Sequence, residues 1–117
     1  NIYGTGKQTR TYCYITDAIE GFLRVICFGK SGNAYNIGNN KPEVSVKQIF
    51  NILKKIHNKK IQAKLINHPK SYPDDEPQRR CPDITKAKKD LKYTTKVDLE
   101  TGLKKFLEWA KVNYKIY

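Results

Sequence analysis

Ser45 and Gln48, placed beside the run Val46, Ile49, Phe50, Leu53 and Ile56, form the most constraining pattern in the chain. A serine and a glutamine three residues apart can each bond to the other's backbone N–H, and the apolar residues that accompany them repeat at helical spacing. The pattern predicts an amphipathic helix of about three turns with a defined start. A helix with one apolar stripe needs a second layer to bury it, so the surrounding sequence must supply strands or further helices.

It supplies both. Residues 11–15, Thr-Tyr-Cys-Tyr-Ile, are β-rich and are followed by Thr16 and Asp17, which suit a helix start. Ile19, Phe22, Leu23, Ile26 and Cys27 then share one helical face until residues 29–33 end it. Residues 34–37 predict a short strand closed by the turn-rich 38–42, and residues 61–66 predict another. Pro69, Pro73, Pro77 and Pro82 mark a long charged loop over 67–80, a length that in compact domains is usually functional or disordered. Asp83 is placed to cap a short helix carrying Ile84, Ala87 and Leu91. Asp98 is placed to cap a last one with Leu99, Leu103, Phe106, Leu107 and Ala110 inward. The expectation is one small mixed α/β domain, without internal repeat or splitting linker.

With 117 residues and 38% hydrophobic content, one modest core is the ceiling. There is no run of 18 apolar residues and no leader-like N-terminus, so a soluble, cytoplasmic protein is expected, with no membrane partner. Asn1 is not a methionine and residues 1–4 read like a strand end, so the chain is expected to be a fragment of something longer. Cys13, Cys27 and Cys81 lack C-x-x-C spacing and read as reduced packing residues rather than a disulfide frame or zinc site. The net charge of +12 points to an anionic partner. A small basic nucleic-acid-binding module is one reading of it, but no helix-turn-helix, zinc-finger or RNA-recognition signature accompanies the charge.

Several catalytic patterns begin and fail. Gly29-Lys30-Ser31 ends like a phosphate loop, yet Arg24 stands where the first glycine belongs. Gly4-Thr5-Gly6 begins a dinucleotide fingerprint whose third glycine would be Thr9. Tyr3 and Lys7 have the spacing of a proton-transfer pair, but two glycines between them disfavour the helix that would align it. His57 and His68 have no third ligand at metal spacing. No catalytic residue and no metal site is expected.

Three ordered blocks remain: Ile2-Tyr3-Gly4-x-Gly6-Lys7-Gln8-Thr9-Arg10-Thr11-Tyr12-Cys13-Tyr14-Ile15-x-Asp17, then Tyr35-Asn36-Ile37-Gly38-Asn39, then Arg79-Arg80-Cys81-Pro82-Asp83-Ile84-x-Lys86-Ala87. Together with the closing pattern over 91–107 they resemble the C-terminal part of the extended short-chain dehydrogenase/reductase family, the NAD-dependent nucleotide-sugar epimerases, dehydratases and decarboxylases. The resemblance spans essentially the whole chain. It implies a small mixed α/β substrate-binding domain without its Rossmann half, covering residues 1–117, acting on a UDP- or dTDP-sugar that the complete enzyme oxidises at C4. NAD would be bound mainly by the N-terminal Rossmann half, and the full-length protein would be a homodimer; the part present here would be inactive alone.

The resemblance also implies that Arg10 and Arg80 hold the diphosphate, with Gln8 beside the nucleotide and Asp83 at the ribose or bracing the arginine loop. The chemistry suits the residue type, since a guanidinium fork meets phosphate with two parallel charge-assisted bonds. On the residues alone, Arg10 can be a solvated surface charge, Arg80 can pair with Asp74, Asp75 or Glu76, and Asp83 can serve only as a helix cap.

Overall fold

A computed structural model describes residues 1–57, 60–73 and 76–114. They fall into two compact units, one of residues 1–10 and 43–81, the other of 11–42 and 82–117. The chain passes between the units three times, so neither is a continuous stretch.

The described residues of the first unit contain five strands of two residues each and one helix. β1 (Ile2–Tyr3) pairs in parallel with β4 (Leu65–Ile66). β2 (Thr9–Arg10) is the centre of a second sheet, antiparallel to β3 (Val44–Ser45) and parallel to β5 (Arg79–Arg80). The turn between β1 and β2 needs its glycines: Gly4 and Gly6 both sit at φ 63°, where a side chain is disfavoured. Tyr3 therefore lies in a strand and the Tyr3 to Lys7 spacing falls on a turn rather than a helix. The expected Ser45 helix is α2 (Val46–His57), and its capping box forms in full. Ser45 N–H donates to Gln48 Oε1 at 2.7 Å, and Gln48 N–H donates to Ser45 Oγ at 3.2 Å. The strand expected over 61–66 shortens to β4.

The second unit holds α1 (Ile15–Phe28), α3 (Thr85–Leu91) and α4 (Leu99–Asn113). Its core is Ile84, Ala87, Leu91 and Tyr93, with Val25, Tyr35 and Ile37 packed against them. The inward residues expected for α3 are thus confirmed. Asp98 caps α4 as expected, accepting from Thr101 N at 2.9 Å, and this bond holds its carboxyl below the ordinary value. Phe106, expected inward, is half exposed; Gly102 and Ala110 are the buried residues of α4.

Two expected strands do not form. Residues 11–14 follow β2 without a ladder and lead into α1, which starts at Ile15. Residues 34–37 pair with no strand among the described residues. Side chains secure them instead: Lys86 Nζ donates to Ala34 O at 3.0 Å, Asn36 Nδ2 to Asp83 O at 3.0 Å, and Tyr35 Oη to Asp90 at 3.3 Å. A β-rich run becomes a strand only when a partner edge is available.

The orientation of α1 is the main surprise. Its buried residues are Asp17 and Gly21, whereas Ile15, Ile19, Phe22, Leu23 and Ile26 are 50% to 78% exposed. Cys27 is exposed as well, which corrects its reading as a packing residue; Cys13 and Cys81 are half-buried, and no disulfide links the three. Burial raises the thiol pKa of Cys13 above its ordinary value. Asp17, expected only as part of a helix start, is instead a tertiary clamp. Its Oδ2 accepts from the backbone N–H groups of Lys96 and Val97, both at 3.0 Å.

Candidate functional site

Arg10 and Arg80 are register partners across the parallel β2–β5 pair. Adjacent residues in such a pair project from the same face of the sheet, so two guanidinium groups more than sixty positions apart in sequence meet there. Glu76 lies between them. Its Oε1 is 2.7 Å from Arg10 Nη2 and its Oε2 is 2.8 Å from Arg80 Nη2. Arg10 is further fixed by donating to Thr9 O and Pro77 O, each at 2.7 Å. The Arg10 side chain is 16% exposed and that of Arg80 58%, so one fork is built into the fold and the other reaches into solvent. Of the acidic partners open to Arg80 in sequence, Glu76 is the one observed; Asp74 and Asp75 lie outside the described residues.

The neighbouring register pair, Thr9 and Arg79, carries a matching arrangement. Side chains alternate between the faces of a strand, so Thr9 and Arg79 belong to the opposite face from Arg10 and Arg80. Glu43 accepts there from Thr9 Oγ1 and takes Arg79 bidentately, Nε to each carboxylate oxygen at 3.0 Å and Nη2 to Oε2 at 2.8 Å. These bonds hold the Glu43 carboxyl below its ordinary value, the Thr9 bond contributing most. Consecutive arginines are thereby given different surroundings: Arg79 is neutralised by a fork-to-fork pair, and Arg80 shares one carboxylate with Arg10.

Gln8 lines a pocket of about 220 Å³ in the same unit, together with Gly4, Thr5, His68, Tyr72, Glu76 and Gln78. Its Nε2 reaches Tyr3 O at 3.5 Å. His68 stacks between Tyr3 and Tyr72, with ring centroids 6.1 Å and 4.0 Å away. The structure thus brings three of the four residues singled out in sequence, Gln8, Arg10 and Arg80, onto one unit, with Glu76 common to the pocket and the arginine pair. Asp83 belongs to the other unit. Its carboxylate accepts from Thr85 N at 2.8 Å at the start of α3, and the Thr85 bonds lower its pKa. Sequence reasoning offered Glu76 as a partner of Arg80, which the structure bears out, but not as its link to Arg10, and it missed His68 as a pocket wall.

A larger cleft, about 300 Å³, lies in the second unit between the 12–15 segment and α4. Tyr14, Ile15, Leu99, Leu103 and Phe106 make it mainly apolar, and the carboxylate in its lining, Asp98, is committed to capping. Among the described residues that line it there is no lysine or arginine. Among the described residues, no group of three or more His, Cys, Asp or Glu is placed to hold a metal ion. No helix among them is long and apolar enough to cross a membrane.

The family model for GDP-mannose 4,6 dehydratase matches residues 1–106. The chain belongs to this family. As a GDP-mannose 4,6 dehydratase family member it stands within the extended short-chain dehydrogenases/reductases, as its three ordered blocks implied. It is 36% identical to dTDP-D-glucose 4,6-dehydratase of Bos taurus over 119 residues, which is 97% of this chain and 32% of the relative. It is 38% identical to UDP-glucuronic acid decarboxylase 5 of Arabidopsis thaliana over 98 residues, 84% of this chain and 27% of that one. A solved structure of UDP-glucuronic acid 4-epimerase from Bacillus cereus, a Y149F mutant in complex with UDP-4-deoxy-4-fluoro-glucuronic acid and NAD, superimposes with a TM-score of 0.85. It is 34% identical, and 97% of this chain matches 35% of it. This family member therefore spans about a third of the length of the relatives it matches, and the small mixed α/β fold is that of the matched third.

Proposed function

We infer that residues 1–117 form the nucleotide-sugar-binding part of an NAD-dependent epimerase, dehydratase or decarboxylase, with Arg10 and Arg80 seating the diphosphate of a UDP- or dTDP-sugar. The observation that carries this reading is the register pairing of the two arginines on one sheet face. Two forks on adjacent strands present converging N–H donors, the arrangement that a bridging diphosphate requires. Gln8, in the adjoining pocket, is the candidate contact to the nucleoside. A ribose contact by Asp83 rests on the family resemblance alone, since its observed bonds are those of a helix start.

NAD is assigned in this reading to a Rossmann half outside the chain. The Gly4-Thr5-Gly6 turn supports that assignment, because it leads into β2 rather than into a helix whose N-terminus would face a pyrophosphate. Within a complete enzyme NAD would accept hydride from the sugar; the residues present here bind and orient the nucleotide end. The exposed apolar face of α1 and the unpaired 34–37 segment fit a chain that is covered by the rest of a longer, homodimeric enzyme.

The test is steady-state kinetics of the full-length enzyme with UDP- and dTDP-sugars. Arg10→Ala and Arg80→Ala should each raise KM or lower kcat/KM by roughly ten- to a hundredfold, the value of a lost charge-assisted contact. Unchanged KM and kcat in both variants would remove the seat.

A further inference from the structure

The carboxylate of Glu76 occupies the place between Arg10 and Arg80 where a bridging phosphate would lie, with one oxygen on each guanidinium at 2.7 Å and 2.8 Å. It is a side chain of the same unit, one residue from Pro77, whose carbonyl also binds Arg10. Its effective concentration at the arginine pair is that of a tethered ligand, which a free monoanion of equal affinity must exceed before it displaces the carboxylate.

We propose that Glu76 is a specificity-determining residue of the anion seat, a resident carboxylate that an incoming ligand must displace. This rests on the reading of Arg10 and Arg80 as diphosphate ligands. A monocarboxylate or chloride that replaces Glu76 exchanges one unit charge for another and gains nothing over the tethered group. A diphosphate brings more charge and enough oxygens to engage both forks, so it gains on exchange. The arginine pair is kept from accumulating ordinary monoanions, and the seat stays selective without a steric wall. The exposures fit an exchangeable partner: Glu76 is 24% exposed and Arg80 58%, so both can swing into solvent, while Arg10, at 16%, keeps its place through Thr9 and Pro77.

Calorimetric titration of the full-length protein with UDP at fixed ionic strength, with sodium acetate exchanged for an inert salt, tests this. In Glu76→Gln and Glu76→Ala, UDP should bind roughly threefold to tenfold more tightly, the value of two partly exposed ion pairs no longer competing. Acetate should then compete with UDP in the variants and not in the wild type. Unchanged or weaker UDP binding in both variants, while Arg10→Ala and Arg80→Ala still weaken it, would overturn the displacement and leave the seat intact. If the arginine variants bind UDP like the wild type, the seat itself is wrong. A readout that needs no variant is the carboxyl carbon-13 resonance of Glu76, which should shift on UDP binding; a resonance that stays in place would also overturn the proposal.

Discussion

Arg10 lies directly across the parallel β2–β5 pair from Arg80, and one carboxylate joins them, whereas the next residue along, Arg79, turns to the other face and is held by Glu43. Two consecutive arginines should therefore separate cleanly in experiment. Arg79→Ala should leave KM for a nucleotide sugar within about twofold of wild type and lower the urea midpoint slightly, as loss of a solvent-exposed pair does. Arg80→Ala should do the reverse. Equal kinetic damage from both would mean that the sheet faces do not sort the two side chains.

Asp17 is 3% exposed and is the acceptor for two backbone N–H groups, those of Lys96 and Val97. Asp17→Ala leaves both donors without that acceptor and should lower unfolding free energy by about 2–4 kcal/mol. Asp17→Asn keeps a carbonyl oxygen in reach and should recover at least half of the loss. Urea unfolding followed by circular dichroism measures both; an alanine variant within about 0.5 kcal/mol of wild type, the range of ordinary surface changes, would contradict the clamp.

Gly21 sits where α1 meets the core. A Cβ there would press on Ile37 Cγ2 and on Tyr93 Cε2, the latter at 2.9 Å. Alanine gains about 1 kcal/mol of helix propensity over glycine. Overpacking costs about 1–3 kcal/mol, so the balance should be destabilising by roughly 1 kcal/mol. In Gly21→Ala combined with Ile37→Ala the two effects should be less than additive, because the second change removes the atom that the first one strikes.

Four carboxylates, Glu20, Glu43, Asp83 and Asp98, have pKa values lowered by their partners: Lys96 and Arg24 for Glu20, Thr9 and Arg79 for Glu43, Thr85 for Asp83 and Thr101 for Asp98. A depressed folded-state pKa contributes stability above the ordinary values of 4.5 for glutamate and 3.8 for aspartate. That stability is lost as the pH falls through the folded-state values. The urea midpoint should be nearly flat from neutrality down to about pH 5 and fall steeply below it. Glu43→Gln should flatten part of that fall, and a midpoint unchanged down to pH 3 would contradict the assignment.

How much of this was legible depended on distance along the chain. The Ser45–Gln48 box and the Asp98 cap could be read outright, because both partners lie within three residues of one another. The Arg10–Arg80 pairing joins two strands of two residues each, too short to write any alternation, so the family resemblance pointed to the arginines while their adjacency came from the structure alone. The periodicity of α1 fixed which residues share a face but not which face meets the core. There, small Gly21 admits Ile37 and Tyr93, and the clamp by Asp17 decides the orientation. Residues 34–37 have the composition of a strand, but composition does not supply the neighbouring edge.

The outward apolar stripe of α1 makes the robustness of this chain conditional. Fully burying one large apolar side chain is worth about 1.5–3 kcal/mol, so covering even part of five approaches the whole net stability of an ordinary domain, about 5–15 kcal/mol. Substitutions such as Phe22→Ser or Ile26→Thr would then be nearly silent, or even improve yield, when these residues are expressed alone, and damaging wherever the stripe is covered. Tolerance at these positions reports on the company the helix keeps rather than on the helix.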